Sequence, residues 1–261
     1  MKVLAVSNQK GGVGKTTTAI NLAACLGACE KKTLLIDMDS QCNSTTGIGL
    51  DKEGDGFSSY EVLMGTCSVE DAIQPSPGIS YLDVLPSSVN LAGVELELVS
   101  AFSRERKLAG VIEHVSDTYE YIIVDSPPSL GLITVNILTA VDAVLIPIQC
   151  EYYALEGLAE LLNTIRLVQK KLNPSLTIEG VLLTMYDGRL NLSRQVVQDV
   201  RSYFSGNVFD TIIPRNVKLS ESPSFGKSII EYDVMSRGAV AYRDLANEVI
   251  NNTTPVRKGE Q

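Results

Sequence analysis

The chain has 261 residues, of which 44% are hydrophobic, and its formal net charge is −9. This many apolar side chains can form a large folded core, which excludes an intrinsically disordered chain. The acidic balance argues against a surface covered with nucleic-acid contacts, and no run approaches the roughly 18 apolar residues of a membrane span. The N-terminus lacks the features of a secretory signal, so a cytoplasmic protein is expected. The single histidine, His114, leaves little basis for zinc or Ser-His-Asp chemistry.

Short apolar runs alternate with amphipathic stretches along the chain. The apolar runs predict strands at 2–7, 33–37, 80–85, 120–125, 142–148 and 178–184. The amphipathic stretches predict helices near 15–29, 88–115, 154–172, 191–204 and 239–251. This alternation is typical of an α/β fold with a doubly wound, mostly parallel sheet and helices on both faces. We expect one domain over residues 1–261, with a frayed tail at 252–261.

The first predicted strand leads into a glycine-rich segment, KGGVGKTT at residues 10–17, which opens the first predicted helix. In such a P-loop, glycines let backbone N–H groups turn toward phosphate oxygens, and the helix adds the positive end of its dipole. The Lys15 ammonium is expected to contact the β- and γ-phosphates of a nucleotide, and the Thr16 hydroxyl can be a ligand of Mg²⁺. The usual pattern begins with a glycine where this chain has Gln9, and Lys10 is an additional cation. The predicted nucleotide-binding residues are Gly11, Gly12, Val13, Gly14, Lys15, Thr16 and Thr17.

Acidic residues follow two of the predicted strands. The second strand ends at Asp37, with Asp39 two residues further on, and the apolar run YIIVD ends at Asp125. Ligands of doubly wound folds bind at the carboxyl ends of the strands, so these carboxylates are expected near the phosphates. Asp125 matches the Walker-B pattern for holding Mg²⁺ together with Thr16. If the second strand continues to Asp39, Asp37 and Asp39 share one face, and one would orient water while the other supports the metal shell.

Together with later blocks of sequence, these motifs resemble one known family. The blocks are DMDSQ, VDSPPSLG, IPIQCEYYALEGL, LLTMYDGR and IPRNVKLSESPSFGKSI. From about residue 2 to residue 250, they resemble the chromosomal ParA (Soj-like) partition ATPases of the deviant-Walker class of P-loop proteins. The chain departs from that family at Ser40 and Cys42, where proline and glycine are usual. The resemblance implies an ATPase that binds ATP and Mg²⁺. A slow intrinsic rate is expected, since no arginine finger is identifiable in the sequence.

The resemblance also implies roles for single residues. Lys10 would reach across an ATP-bound homodimer to the phosphates of the other subunit, and Gly11 would let the two subunits approach. With Lys10 and Lys15, Asp39 would be catalytic, because it would position the attacking water. The adenine would contact Tyr186, Pro214 and Asn216.

The resemblance further implies that the dimer binds DNA non-specifically on the nucleoid, until a ParB-type centromere-binding protein stimulates hydrolysis. The implied DNA contacts are Arg189, Arg215 and Lys218. Residues 185–243, which contain them, have a net charge of +2, whereas the rest of the chain has a net charge of −11. This local excess of basic residues is compatible with contacts to phosphates.

Three related classes of protein are alternatives. A membrane-cycling ATPase of the MinD type, which positions the division site, needs a basic amphipathic helix at its C-terminus, whereas residues 249–255 are mostly polar and end in proline. A redox protein like the nitrogenase iron protein needs a cluster-binding cysteine soon after Asp125, and the next cysteine is Cys150. A plasmid-type ParA would carry an N-terminal helix-turn-helix domain, but the first strand is expected at residue 2. The sequence favours a DNA-partitioning ATPase without a membrane role.

Overall fold

The structure, a computed structural model, describes residues 1–52, 56–154, 158–204 and 206–253. Within these residues, eight strands form one sheet: β1 (Lys2–Val6), β2 (Thr33–Asp37), β3 (Gln74–Pro75), β4 (Leu82–Leu85), β5 (Tyr121–Asp125), β6 (Ala143–Gln149), β7 (Thr177–Tyr186) and β8 (Val208–Pro214). Their order across the sheet is β3-β4-β2-β5-β1-β6-β7-β8. Neighbouring strands are parallel, except that β3 is antiparallel to β4 at one edge.

Helices connect these strands. In the described residues they are α1 (Lys15–Ala28), α2 (Asn43–Gly47), α3 (Ser59–Met64), α4 (Val69–Ala72), α5 (Val94–Glu97), α6 (Lys107–His114), α7 (Leu132–Ala140), α8 (Leu158–Lys171), α9 (Asn191–Phe204), α10 (Val217–Glu221), α11 (Ile229–Tyr232) and α12 (Arg237–Thr253). Short 3₁₀ turns lie at Val89–Gly93, Leu98–Ser100, Arg104–Arg106 and Ser222–Phe225.

Side chains of the central strands alternate between two cores, one on each face of the sheet. Along β1, Val3 and Ala5 belong to one core, while Leu4 and Val6 belong to the other. Residues of α6, α7, α8 and α9 complete the first core, and residues of α1, α11 and α12 complete the second. Strands buried on both faces need apolar side chains at nearly every position, which is why they read as continuous apolar runs. The predicted doubly wound sheet with helices on both faces is confirmed.

The position of β1 creates a crevice at one edge of the sheet. Strands that precede β6 in the chain lie on one side of β1, and strands from β6 onward lie on the other. At such a switch point the connections after neighbouring strands diverge, and a ligand can bind between them. The register places Val6 of β1 beside Asp125 of β5, and Asp125 beside Asp37 of β2. The P-loop and two of the predicted carboxylates therefore border the same crevice.

Apart from short elements that the sequence does not predict (β3, α2, α3, α4, α10 and α11), the structure differs from the sequence-based prediction in three places. Residues 88–115 do not form one helix but 3₁₀ turns, α5 and α6, and Ser103 interrupts the helical path with a φ of +51°. The sequence does not predict β8, because this edge strand is half exposed and contains Asp210 and Thr211. It does not predict α7 either, because the run LITVNILTA is apolar on nearly all sides and has no helical period.

The C-terminal helix is part of the fold. Leu245 and Val249 of α12 are completely buried in the core that contains α1. The helix continues through Thr253, two residues into the segment expected to fray, and residues 254–261 of that segment lie outside the described residues. Among the helices of the described residues, none combines the length and apolar content needed to cross a membrane.

We expect Leu245→Ala to lower the free energy of unfolding by about 2–5 kcal/mol, because it leaves a cavity between α12 and α1. The measurement is urea denaturation followed by circular dichroism. Asn247→Ala, an exposed position on the same helix, is the matched control and should change stability by less than about 0.5 kcal/mol. Equal effects of the two substitutions would contradict the packing of α12 described above.

Candidate functional site

The loop between β1 and α1 turns through two glycines in the left-handed region. Gly12 has a φ of +73° and Gly14 a φ of +91°, conformations that residues with a Cβ rarely adopt. Gly14 is the N-cap of α1, and within the described residues no side chain caps this helix. Its first turn contains no acidic residue. The N–H groups at the start of α1 are therefore available to an anion such as a phosphate.

Two lysines border this loop in different environments. Lys15 is 7% exposed, and its ammonium donates a hydrogen bond to the Lys10 carbonyl at 3.0 Å. Burial lowers the pKa of Lys15, while the charges of Asp125 and Asp39 act in the opposite direction, so both carboxylates are close to this ammonium. The Lys10 ammonium instead donates to the Tyr153 carbonyl at 3.4 Å. Lys15 is thus turned toward the carboxylates and Lys10 toward the segment that follows β6.

Side-chain hydrogen bonds attach the P-loop to the neighbouring strands. The Asn8 amide donates to the Pro147 carbonyl of β6 at 2.8 Å, and its oxygen accepts from the Lys10 N–H at 3.0 Å. The Thr184 hydroxyl of β7 donates to the Val13 carbonyl at 2.8 Å. The glycines allow the turned conformation of the loop, and the hydrogen bonds to β6 and β7 stabilise it.

Two fully buried carboxylates, Asp37 and Asp125, lie side by side at the carboxyl ends of β2 and β5. Burial raises the pKa of Asp37 to about 6 and that of Asp125 to about 7. The negative charge of Asp37 contributes to the shift at Asp125. Burial therefore favours the protonated form of each carboxyl group, and a bound cation would favour the charged form.

The two carboxylate oxygens of Asp125 differ in their hydrogen bonds. Oδ2 accepts a hydrogen bond from the Ser44 hydroxyl at 2.7 Å, whereas Oδ1 is buried and has no partner within the described residues. The Thr16 hydroxyl lies close enough to Asp125 to lower the pKa of its carboxyl group. Mg²⁺ in phosphate-binding sites takes one or two protein carboxylates and completes its shell with phosphates and water. The free oxygen of Asp125 and the Thr16 hydroxyl fit such an ion.

Both carboxylate oxygens of Asp37 accept hydrogen bonds from nearby residues of the chain. Oδ1 accepts the Asp39 N–H at 3.1 Å, and Oδ2 accepts both the N–H and the hydroxyl of Thr45 at 2.8 Å each. The strand β2 ends at Asp37, so Asp39 lies in the following turn. The strand does not continue to Asp39, so the condition under which the two acids would share one face is not met. Asp37 organises the turn, and Asp39 is carried by it.

The turn after Asp39 contains the two departures from the family pattern. Cys42 has a φ of +56°, a left-handed conformation in which glycine is unstrained, and its N–H donates to the Asp39 carbonyl at 2.9 Å. The turn is thus kept with cysteine in place of the usual glycine, at a conformational cost of roughly 1 kcal/mol or more. Nothing in the structure explains the serine at Ser40.

A cavity of about 420 Å³ opens beside the P-loop, a volume within the usual range for small-molecule sites. Pro214 and Asn216, two of the predicted adenine contacts, line it, whereas Tyr186 does not. Its neighbour Met185 lines the cavity instead, with a φ of +51°. The other lining residues are Gly14, Thr17, Thr184, Ile213, Arg215, Val217, Leu219, Ser220, Pro223 and Tyr242.

The three predicted DNA contacts lie at the carboxyl ends of the adjacent strands β7 and β8. Arg215 follows β8 directly, and its N–H donates to the Tyr186 carbonyl at the end of β7. Each of the three side chains has a carboxylate partner in the same subunit. The ion pairs are Arg189–Asp187 at 2.6 Å, Arg215–Glu151 at 3.2 Å and Lys218–Glu221 at 3.3 Å.

Sequence reasoning missed the hydroxyl groups around the carboxylates. Ser44 and Thr45 belong to the run NSTTG, whose hydroxyl content just after Asp39 is a usable signal. Ser87, whose hydroxyl donates to the Asp39 carbonyl at 2.8 Å, lies 48 residues away and outside every motif. Tyr242 of α12, which lines the cavity, likewise has no signal other than a position on an amphipathic helix.

Known proteins share both the sequence and the fold of this chain. Residues 1–178 match the AAA domain family. The chain is 55% identical over 251 residues to the sporulation initiation inhibitor protein Soj of Bacillus subtilis, covering 96% of this chain and 99% of that protein. It is 50% identical over 254 residues to the chromosome partitioning protein ParA of Myxococcus xanthus, covering 97% of this chain and 89% of that protein.

A solved structure has the same fold over nearly its whole length. It is the crystal structure of cobyrinic acid a,c-diamide synthase from Mycobacterium smegmatis with a bound ATP analogue and magnesium, with a TM-score of 0.87. The two sequences are 35% identical, and the match covers 99% of this chain and 98% of that one. From its P-loop, its buried carboxylates and its identity to these relatives over almost its full length, the chain belongs to the Soj/ParA family of chromosome-partitioning ATPases.

Proposed function

We propose that this chain is an ATP-driven switch for DNA partitioning. With ATP and Mg²⁺ it forms a sandwich homodimer that binds DNA non-specifically on the nucleoid, and hydrolysis stimulated by a ParB-type protein releases it. One observation carries this proposal: the N-terminus of α1, which has no side-chain cap, lies in the same crevice as Asp39 and Asp125. Phosphoryl transfer needs this combination of phosphate cradle, metal ligand and water-positioning carboxylate.

In the proposed complex the phosphates lie at the start of α1, and the adenine occupies the 420 Å³ cavity beside it. The N–H groups of residues 11–17 and the Lys15 ammonium bind the phosphates. The Asp125 oxygen that has no partner within the described residues and the Thr16 hydroxyl would hold the metal. Mg²⁺, when bound, would supply positive charge that offsets the charge developing during phosphoryl transfer.

Asp39 is the proposed residue that orients the attacking water. Its carboxylate is 8% exposed, and Oδ1 accepts the Gln41 N–H at 3.0 Å. Within the described residues Oδ2 has no hydrogen-bond partner, so it is available to a water molecule beside the γ-phosphate. Intrinsic hydrolysis is expected to be slow, because P-loop hydrolases are slow without an arginine finger and no motif of this sequence supplies one.

The proposed dimer interface surrounds Lys10. In the described part of the chain the Lys10 ammonium has a neutral carbonyl as its partner, at 3.4 Å, so little is lost when it turns to a phosphate of the other subunit. Tyr152 and Tyr153, which are 76% and 59% exposed, pack edge to face next to it. Large exposed aromatic side chains beside a cation are typical of interface centres.

The proposed DNA surface is formed by cations that are already paired. Exposed ion pairs contribute only about 0–1 kcal/mol, so a DNA phosphate can displace Asp187 from Arg189 or Glu221 from Lys218 at small cost. The gain per contact is correspondingly small, and one subunit alone should bind DNA weakly. A dimer joins two such patches and raises the affinity through effective concentration. Because ATP is required for the proposed dimer, DNA binding should depend on ATP.

A MinD-like membrane role has less support. The apolar residues Leu245 and Val249 of α12 pack into the core, so they are not available to a lipid surface. The last turn of that helix contains no basic residue. An interfacial helix needs both an apolar face and basic side chains that are free.

We expect Lys10→Ala and Lys15→Ala to separate dimerisation from nucleotide binding. Lys15→Ala should weaken ATP binding by about 10- to 100-fold, because it removes charge-assisted hydrogen bonds to the phosphates. Lys10→Ala should leave ATP affinity within about twofold but abolish the ATP-dependent dimer, because its proposed phosphate partner lies on the other subunit. Calorimetry and light scattering with ATP and Mg²⁺ measure the two quantities. An ATP-dependent dimer of the Lys10→Ala protein would refute the sandwich arrangement.

We expect the double substitution Arg189→Glu with Lys218→Glu to weaken DNA binding equally on unrelated duplexes while ATP affinity is unchanged. In a salt titration, the slope of log affinity against log salt should fall by about 0.9 for each phosphate contact that is lost. Lys170→Glu with Lys171→Glu changes the charge by the same amount on exposed positions at the far end of α8, and should have little effect. If both pairs weaken binding alike, the DNA surface is not at the end of β7 and β8.

A further inference from the structure

Four buried residues form a closed ring of hydrogen bonds around the backbone of Asp39. The Asp39 N–H donates to Asp37 Oδ1 at 3.1 Å, and Asp37 Oδ2 accepts the Thr45 hydroxyl at 2.8 Å. The Thr45 hydroxyl oxygen accepts the Ser87 N–H at 2.9 Å, and the Ser87 hydroxyl donates to the Asp39 carbonyl at 2.8 Å. All four side chains are buried. We call these residues, Asp37, Asp39, Thr45 and Ser87, the Asp39 ring.

Ser87 is the member of this ring that comes from a distant part of the chain. Asp37, Asp39 and Thr45 lie within nine residues at the end of β2, whereas Ser87 lies two residues after β4. The strands β2 and β4 are neighbours, with Ile36 beside Leu85, so the connections that leave them run side by side. The Ser87 hydroxyl therefore ties the turn that carries Asp39 to a second, independent strand.

The hydrogen bond from Ser87 completes the restraint on the Asp39 backbone. The Asp39 carbonyl accepts from the Ser87 hydroxyl and from the Cys42 N–H, while the Asp39 N–H is held by Asp37. With both backbone polar groups held, the direction of the Asp39 Cα–Cβ bond is fixed, and the Gln41 N–H restrains the carboxylate through its hydrogen bond to Oδ1. A misplacement of about 1 Å of a group that positions a reactant costs on the order of 100-fold in rate, so this restraint matters for hydrolysis more than for binding.

We propose that Ser87 is a positioning residue for ATP hydrolysis, which acts by holding the backbone of Asp39 so that its carboxylate reaches the attacking water. This proposal rests on the proposed role of Asp39. Ser87 works through Asp39, and its loss leaves the P-loop, Lys15, Thr16 and the free oxygen of Asp125 in place. The Asp39 carbonyl keeps the Cys42 N–H as a partner, so the loss of the Ser87 hydroxyl does not leave it unsatisfied.

The test is the steady-state kinetics of the full-length Ser87→Ala protein with ATP and Mg²⁺. The value of kcat should fall roughly fivefold, the factor that corresponds to one ordinary hydrogen bond, while KM and the ATP dissociation constant stay within twofold. Ser87→Cys keeps a weak donor of similar size and should give an intermediate kcat. It also provides a second readout if the alanine variant folds poorly.

Thr33→Val is the matched control. Its hydroxyl is fully buried and donates to the Lys31 carbonyl at 2.8 Å, the same kind of bond at the opposite end of β2. This variant should keep the wild-type kcat even if its stability falls as much as that of Ser87→Ala. If Thr33→Val lowers kcat as much as Ser87→Ala does, the effect of Ser87 is general loosening and the positioning role is refuted.

The Asp39→Ala background distinguishes failure of this inference from failure of the proposed function. Asp39→Ala should abolish most turnover with ATP binding retained, and adding Ser87→Ala to it should lower the residual rate no further, because the two residues act as one unit. Normal hydrolysis by Asp39→Ala would refute the proposed role of Asp39. An inactive Asp39→Ala protein beside a fully active Ser87→Ala protein would refute the positioning role of Ser87 alone.

Discussion

The site depends on the burial of two carboxylates, Asp37 and Asp125, next to each other on adjacent strands. A buried charge is costly unless hydrogen bonds or opposite charges compensate it. Asp37 is compensated by three donors of its own chain. Asp125 accepts a hydrogen bond from Ser44 at Oδ2 and has the Thr16 hydroxyl nearby, while its Oδ1 has no partner within the described residues. Within the described residues, hydrogen bonds therefore compensate Asp37 more completely than Asp125. The same hydrogen bonds stabilise the turn, and the unpartnered oxygen of Asp125 is our proposed position for the metal.

The other parts of the site follow from this unequal compensation. Lys15 is buried toward Asp125 and Asp39, so it already stands where a phosphate and a metal would complete the neutralisation. The Lys10 ammonium contacts the Tyr153 carbonyl instead, and we propose that its phosphate partner lies on the other subunit. The paired cations at the end of β7 and β8 add a second weak set of contacts. In the function that we propose, these weak contacts become strong only when nucleotide joins two subunits, which is the physical basis of a switch.

Local signals made the P-loop, the central strands and Asp125 predictable. Gly12 and Gly14 are required by backbone conformation, and strands buried on both faces must be apolar throughout. The Asp39 ring was not predictable, because Ser87 contacts Asp39 only when β4 pairs with β2. A serine 48 residues away belongs to no sequence motif that would point to Asp39. Residues 88–115 do not form the single helix that the sequence predicts, because apolar spacing alone does not reveal the left-handed conformation of Ser103. Met185 lines the cavity in place of Tyr186 because β7 ends in an irregular register with β8.

We propose that the buried Asp125 carboxylate, whose Oδ1 has no partner within the described residues, binds a cation, so that its charge destabilises the protein without nucleotide and metal. Because burial raises the pKa of Asp125 to about 7, the folded state holds a proton that the unfolded chain has lost, and this contribution to stability grows as the pH falls from 8 to 6. The direct measurement is the free energy of unfolding in urea at pH 8 and pH 6, without nucleotide or Mg²⁺, for wild type and Asp125→Asn. We expect Asp125→Asn to be more stable than wild type at pH 8, and this advantage to shrink by about 1 kcal/mol at pH 6. An Asp125→Asn protein that is less stable than wild type by the same amount at both pH values would contradict the claim.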